Sequence, residues 1–167
     1  KAKLQAELGV SKDKAEELFS IYHERVPFVK SLTRSVSNRA QQRGQIRTLL
    51  GRLCRFHLWE PNSFGMHKAL PFDQAVQEHG PGIKRAYTYK ALNKLIQGSA
   101  ADMTKKSMLE LYKEGIVAHI QVHDELDISV EDDKKAKRIT EIMESAVELE
   151  IPNKVDYEKG TNWGDIK

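Results

Sequence analysis

Three consecutive residues carry the clearest chemical signal in the sequence. His123, Asp124 and Glu125 lie between two segments in which apolar and polar residues alternate. Because alternation with a period of two is typical of β-strands, we predict a hairpin with a polar tip, in which Val122 faces Leu126. Hard divalent cations such as Mg²⁺ prefer carboxylate oxygens, and paired strands hold ligands in a fixed direction. The tip is therefore a candidate cation site; a solvated polar turn is the alternative.

A run of cations without acids is the second candidate. From Arg25 to Arg55 the sequence holds eight Lys or Arg residues and no Asp or Glu. Solvated faces usually mix charges of both signs, so this run favours phosphate binding, with an affinity that falls as salt rises. A solvated helix face is the alternative. The eight residues are Arg25, Lys30, Arg34, Arg39, Arg43, Arg47, Arg52 and Arg55.

Two amide side chains form the third candidate. Asn93 and Gln97 are four residues apart, so they share one face of a predicted helix. Side-chain amides can donate to purine N3 and pyrimidine O2, the minor-groove acceptors that A·T and G·C pairs share. Such contacts would check the shape of a duplex without reading its sequence. Two ordinary surface amides are the alternative.

The helices that precede these sites are predicted from capping residues and from apolar spacing. Ser11 is expected to cap one helix, and Pro27 to occupy the first turn of the next, which ends near Gly44. Phe28, Leu32 and Val36 are expected to be buried by that second helix, because they recur every four residues on one face. Residues 56–86 are predicted to be loop with short structure.

The second half of the chain is predicted to form an α+β layer. A long helix from about residue 87 to residue 112 precedes the hairpin, and acidic residues 131–133 begin another helix. Val155 and Tyr157 suggest a third strand before a short tail. Helix, hairpin, helix and strand in this order predict an antiparallel β-hairpin packed on helices.

Composition limits the class of protein. The first 60 residues carry 12 Lys and Arg against 6 Asp and Glu, whereas residues 111–167 carry 8 against 14. A chain so divided is expected to contact an anion with one face and to hold cations with another. The single cysteine, Cys54, excludes an internal disulfide and a cysteine-based zinc site. Without an apolar segment of membrane-spanning length or a signal segment, we expect a cytoplasmic protein that does not contact membranes.

Four segments occur in an order that is typical of one enzyme family. They are residues 47–52 (Arg-Thr-Leu-Leu-Gly-Arg), residues 93–102 (Asn-Lys-Leu-Ile-Gln-Gly-Ser-Ala-Ala-Asp), residues 121–126 (Gln-Val-His-Asp-Glu-Leu) and the closing residues 157–165, which end in Trp163, Gly164 and Asp165. With these segments the chain resembles the family A DNA polymerases, the DNA polymerase I type. The third segment is similar to motif C of that family, and the second to the helix before motif C.

The resemblance implies a role for each candidate residue. Asp124 would be a ligand of the catalytic Mg²⁺ ions, Glu125 would lie beside it, and His123 would lie near the primer terminus. Asn93 and Gln97 would contact the minor groove of the new duplex. The reaction would be attack of the primer 3′-hydroxyl on the α-phosphate of a nucleotide, with pyrophosphate leaving and two Mg²⁺ ions stabilising the attacking and leaving oxygens.

The resemblance also implies partners and subdomains. Primer-template DNA and deoxynucleoside triphosphates would be bound, with Arg43, Arg47 and Arg52 contacting the DNA. Residues 1–85 would form the rear of the fingers, a helical remnant of that subdomain, and residues 86–167 would form most of the palm.

Departures from the family pattern predict an incomplete active site. The sequence has no segment like motif A, which carries the second metal-binding aspartate, and no fingers helix that grips the nucleotide. Residues 87–90 (Tyr-Thr-Tyr-Lys) also differ from the usual Arg-containing pattern. Asp124 and Glu125 alone cannot hold two octahedral Mg²⁺ ions. We therefore expect the C-terminal part of a split or phage-type polymerase, inactive alone and completed by an N-terminal remainder.

Two other functions are compatible with the same residues. A non-catalytic nucleic-acid-binding or structural subunit of a replication complex would keep the basic run without the chemistry. A metal-dependent phosphohydrolase would use His123 and Asp124 as ligands, but it needs further ligands at short spacing, which the other histidines do not supply.

Overall fold

The computed structural model describes residues 2–63 and 68–166, which form helices and short antiparallel strand pairs. No helix within these two ranges is long and apolar enough to cross a membrane. In chain order, the elements are α1 (Ala2–Leu8), α2 (Lys12–Arg25), α3 (Pro27–Arg43), β1 (Gln45–Arg47), β2 (Leu53–Arg55), β3 (Trp59–Pro61), α4 (Phe72–His79), β4 (Ile83–Arg85), a 3₁₀ helix (Thr88–Lys90), α5 (Ala91–Lys113), β5 (Ile120–Val122), β6 (Glu125–Asp127), α6 (Asp133–Ser145) and a second 3₁₀ helix (Trp163–Asp165).

The chain divides into two compact units. The first comprises residues 2–47 and 51–95, and the second comprises residues 48–50 and 96–166. Helix α5 begins in the first unit and ends in the second. The α+β prediction is confirmed. The boundary at residue 85 between fingers and palm concerns subdomains of a whole polymerase and stays a prediction.

The first unit begins with helices whose ends follow from their capping residues. The Ser11 hydroxyl accepts a hydrogen bond from the Lys14 amide at 3.3 Å, and Pro27 is the first residue of α3. Gly44 ends α3 with a φ of +66°, and its amide donates to the Ala40 carbonyl at 2.9 Å. These predicted helix ends are confirmed.

A small core holds α3 against the β1–β2 pair and the start of α5. It is formed by Val36, Ala40, Ile46, Phe56 and Ala91, all buried. The prediction that α3 also buries the apolar side chains of its first turns is wrong. Phe28 is 63% exposed and Leu32 is 37% exposed, because α3 enters this core only from Val36 onward.

The described part of residues 56–86 contains short strands and a short helix between loops, in agreement with the prediction. Strands β3 and β4 pair antiparallel, and α4 packs on both. The Trp59 ring contacts the Phe72 ring edge-on at a centroid distance of 5.1 Å, and the guanidinium of Arg85 lies 4.5 Å above the Trp59 ring. Arg85 Nη1 also donates to the Phe56 carbonyl at 2.9 Å. One cation thus holds the two strands and the preceding segment together.

The second unit packs a short hairpin and α6 on the C-terminal half of α5. Asp132 caps α6 by accepting from the Lys135 amide at 2.7 Å, as the acidic start of this helix predicted. The third strand predicted at Val155 is wrong: residues 151–160 form neither helix nor strand. The Val155 amide donates instead to Glu144 Oε1 at 3.2 Å, so a side chain of α6 replaces a strand partner.

Gly44→Ala should destabilise the protein more than Gly51→Ala. Both glycines have positive φ, +66° and +87°, where a side chain costs about 1 kcal/mol. At Gly44 an added Cβ would lie 2.7 Å from Cζ of Arg85, whereas at Gly51 it would meet nothing within 4 Å. Arg85 would then lose its contacts with Phe56 and Trp59, which adds about 1 kcal/mol. Urea denaturation measures the free energy of unfolding of each variant. Equal losses in the two variants would contradict this account.

Candidate active site

The acidic hairpin reverses direction over two residues. Val122 pairs with Glu125 and Gln121 pairs with Leu126, so His123 and Asp124 form the turn. The predicted pairing of Val122 with Leu126 is therefore wrong by one residue. The physical reason is the backbone of His123, whose φ of +52° allows the chain to turn within a two-residue loop.

This register separates the two carboxylates of the tip. Asp124 lies in the turn, whereas Glu125 is the first residue of β6. His123, Asp124 and Glu125 are all exposed. The three residues are therefore exposed to solvent at the end of the hairpin, with Asp124 in the turn and Glu125 in a strand, and none is buried in the core of its own unit.

Apolar packing fixes the base of the hairpin. Leu126 and Ile128 pack against a buried cluster that contains Leu111 of α5 and Ile139 of α6. The His119 amide donates to the Asp127 carbonyl at 2.9 Å and extends the pairing beyond β5. The tip thus projects from a base that is held by two helices.

An ion pair connects the two helices beneath the hairpin. The guanidinium of Arg138 on α6 donates to both carboxylate oxygens of Glu114, which follows α5; the Nε–Oε2 distance is 3.0 Å. These hydrogen bonds hold the pKa of the Glu114 carboxyl below its ordinary value. Since the folded-state pKa is lowered, the contribution of this pair is present at neutral pH and is lost as the pH falls through that pKa.

A side chain next to the tip was not predicted to have a role. Gln121 Nε2 donates a hydrogen bond to the carbonyl of His123, the residue with positive φ. This contact joins β5 to the first residue of the turn and favours the conformation that presents Asp124. The sequence signal was available, because Gln121 is part of the motif-like segment, but its partner is a backbone atom that periodicity does not identify.

The predicted minor-groove amides are exposed on α5. Asn93 belongs to the first unit and Gln97 to the second, one helical turn apart along α5. In the second unit, the Leu49 amide donates to Ser99 Oγ at 2.9 Å and so attaches the segment 48–50 to α5. Both amide side chains are placed where a partner could reach them.

The predicted DNA-contacting arginines are exposed in the first unit. Arg43 is the last residue of α3, Arg47 is the last residue of β1, and Arg52 follows Gly51 in the loop before β2. Arg47 Nη1 donates to the Gly51 carbonyl at 2.8 Å and closes that loop. Their use in binding DNA stays a prediction.

The donor atoms at the tip fit part of a magnesium site. Asp124 and Glu125 offer exposed carboxylate oxygens, the ligand type that Mg²⁺ prefers. Among residues 2–63 and 68–166, no three His, Cys, Asp or Glu side chains come together as a metal-binding group. The described residues therefore supply two candidate ligands, and a full coordination shell would need others.

The sequence matches the family described as DNA polymerase family A over residues 1–165. The chain belongs to this family. The family resemblance found in the sequence is thereby confirmed.

Known members of family A agree with this assignment. A "DNA-directed DNA polymerase" of Pseudomonas phage M6 is 37% identical over 89% of this chain, and the match covers 19% of that relative. "DNA polymerase I" of Bacillus caldotenax is 32% identical over 98% of this chain and is covered over 18% of its length. The chain thus spans about a fifth of the length of these relatives.

A solved polymerase structure shares the fold. The POL domain of Pol1 from M. smegmatis, in complex with DNA primer-template and dNTP, matches with a TM-score of 0.62 at 28% identity. The match covers 89% of this chain and 25% of that chain. The roles of individual residues in this family A chain stay predictions.

Gln121→Ala should loosen the tip without unfolding its base. Loss of the hydrogen bond to His123 should accelerate amide exchange at residues 123–125, while amides of α5 and α6 keep their protection. Gln121→Glu keeps the size of the side chain and removes the donor, so it should behave like Gln121→Ala. The amide exchange rates of residues 123–125 are measured by NMR. Rates equal to those of the parent in both variants would show that the hydrogen bond from Gln121 is dispensable.

Proposed function

We propose that this chain forms part of the active site of a template-directed DNA polymerase. The reaction adds a deoxynucleotide to a primer 3′-hydroxyl and releases pyrophosphate. The observation that carries the proposal is the position of Asp124, an exposed acid in the turn of a hairpin whose base packs on two helices, within a chain of family A. This position lets a carboxylate reach a bound cation with little reorganisation of the protein.

The tip residues take separate roles in this proposal. Asp124 binds Mg²⁺, Glu125 lies beside it as a second acidic ligand, and His123 lies near the primer terminus. Family A DNA polymerases generally use Mg²⁺. When bound, two such ions stabilise the attacking and leaving oxygens. The contribution of this chain is to hold the carboxylates in position and to supply negative charge where the cations bind.

The duplex is bound by amides and cations elsewhere in the chain. Asn93 and Gln97 donate to minor-groove acceptors, which all base pairs offer, so the contact is independent of sequence. Arg43, Arg47 and Arg52 contact phosphates. The similar M. smegmatis structure, which is in complex with DNA primer-template and dNTP, supports these partners.

The active site is completed by protein outside these 167 residues. Two neighbouring carboxylates do not define a pair of octahedral Mg²⁺ ions, so a second aspartate comes from an N-terminal remainder of the polymerase. Two observations support this. The chain spans about a fifth of the length of its relatives. The described residues also contain no group of three metal-binding side chains. We propose that this chain alone is inactive.

Asp124→Ala should abolish DNA synthesis by the completed polymerase and leave duplex binding nearly intact. Removing a metal ligand should cost at least about 100-fold in rate, the upper range for loss of an outer-shell partner. Asp127→Ala is the matched control, because it removes a carboxylate from the same hairpin that is not assigned to metal. Primer extension and duplex binding are measured for both. A fully active Asp124→Ala enzyme would favour a non-catalytic nucleic-acid-binding or structural subunit.

Mixing this chain with the preceding part of the polymerase should produce primer extension that neither polypeptide gives alone. The physical reason is that metal ligands and nucleotide contacts are shared between the two polypeptides. Extension is followed at equal protein concentrations, with Asp124→Ala in the mixture as the control for contaminating polymerase. Extension by this chain alone at the rate of the mixture would show that its own residues suffice.

A further inference from the structure

Three cations on α3 take no part in the DNA contacts proposed above. Lys30, Arg34 and Arg39 belong to the stretch from residue 25 to residue 59, which contains no Asp or Glu. All three side chains are exposed. In the parts of the chain that the structure describes, none of the three forms an ion pair, although the preceding helix, α2, does contain one. Exposed cations without acids nearby favour an anionic partner.

Two apolar side chains of the same helix are also open to solvent. Phe28 is 63% exposed and Leu32 is 37% exposed. Together with Ser31 and Ser35 they line a shallow hollow on the surface of α3. The buried clusters of the described residues include neither apolar side chain. Exposed apolar side chains that are grouped and bordered by polar residues are typical of interaction sites.

Helical geometry joins the hollow to one of the cations. Phe28, Leu32, Ser35 and Arg39 follow one another at steps of four, three and four residues, so they form one stripe along α3. At a rise of 1.5 Å per residue, Arg39 lies about 17 Å along the helix from Phe28. Arg34 is adjacent to Ser35 at the edge of this stripe. The stripe is therefore apolar at the N-terminal end of α3 and basic farther along.

This combination fits an acidic peptide better than a nucleic acid. Single strands are usually bound by several aromatic rings in a basic groove, whereas Phe28 is the only aromatic residue in the sequence of α3. Phosphate groups pair with cations but leave an aliphatic side chain such as Leu32 uncovered. A peptide supplies both an apolar side chain for the hollow and carboxylates, which pair with guanidinium groups in a planar, two-pronged geometry.

We propose that α3 is the docking site for an acidic segment of a partner protein. A large apolar side chain of that segment packs on Phe28 and Leu32. Its carboxylates pair with Arg34 and Arg39 farther along the helix. The site lies in the first unit and uses neither the acidic tip nor the cations assigned to DNA, so it adds a protein partner to the polymerase function proposed above.

The test measures binding of labelled peptides to the completed polymerase by fluorescence anisotropy. The probe peptides join two phenylalanines to five aspartates through one glycine, with the phenylalanines at either end. Primer-template is present at saturation, so that the cations assigned to DNA are already occupied. One of the probes should bind in a saturable manner, with an affinity that falls as salt rises. Peptides with asparagine in place of aspartate, or alanine in place of phenylalanine, should bind at least about 10-fold more weakly.

Substitutions on the stripe should weaken binding of the probe by amounts that differ with chemistry. Phe28→Ala should reduce the affinity at least about 10-fold, the effect of losing one large buried side chain. Arg39→Ala should reduce it about 2- to 5-fold and lessen its dependence on salt, whereas Arg39→Lys should retain most of both. Two matched controls should leave binding unchanged. Lys30→Ala removes a cation two residues, or about 200°, around α3 from Phe28, and Phe72→Ala removes an exposed ring of α4.

Several results would overturn the docking site. They are a parent that binds neither probe, an affinity that Phe28→Ala leaves unchanged, and displacement of the probe by oligothymidine, which would assign α3 to single-stranded DNA. Phe28→Ala should also keep the primer extension rate of the parent. A loss of extension would show that the preceding part of the polymerase covers Phe28. Failure of the peptides to bind an enzyme that extends primers would leave the polymerase function intact, which distinguishes the two failures.

Discussion

The acidic tip depends on the burial of one side of a very short hairpin against two helices. Each strand has three residues, and an isolated hairpin of this size is marginal in water. Leu126 and Ile128 pack on the cluster that includes Leu111 and Ile139. Full burial of such a side chain contributes about 1.5–3 kcal/mol, and these two partly buried side chains contribute part of that amount. The direction of Asp124 is therefore determined by apolar contacts at the base of the hairpin, and the turn itself can stay open to solvent.

Much of the fold could be predicted because the ends of its helices are marked by residues that act on the neighbouring backbone. Ser11, Pro27 and Gly44 each satisfy or relieve a backbone requirement at a helix end, and all three occupy the predicted positions. The register of the hairpin could not be predicted in this way. Alternation fixes which residues are strand-like, but the turn length depends on the φ of His123, which nearby contacts help to determine.

In the candidate site, too, the sequence identified individual residues but not their contacts with distant parts of the chain. Residue types and the family resemblance identified Asp124 and Asn93 as candidates. Hydrogen bonds between residues far apart in the sequence could not be predicted, because they pair a side chain with a backbone atom. Glu144 accepts from the Val155 amide and leaves no third strand at that position. Phe28 has the spacing of a buried helix face, yet no buried cluster in the described residues includes it. The spacing of apolar residues does not show how far along a helix its packing partners extend.

The two tryptophans of the sequence lie one in each compact unit and in opposite surroundings. Trp59 is half-buried between Phe72 and the guanidinium of Arg85, whereas Trp163 is 56% exposed. A water-soluble quencher such as iodide reaches an exposed indole far more readily than a covered one. The protein thus contains its own pair of optical reporters, and unlabelled emission spectra can distinguish the melting of one unit from that of the other.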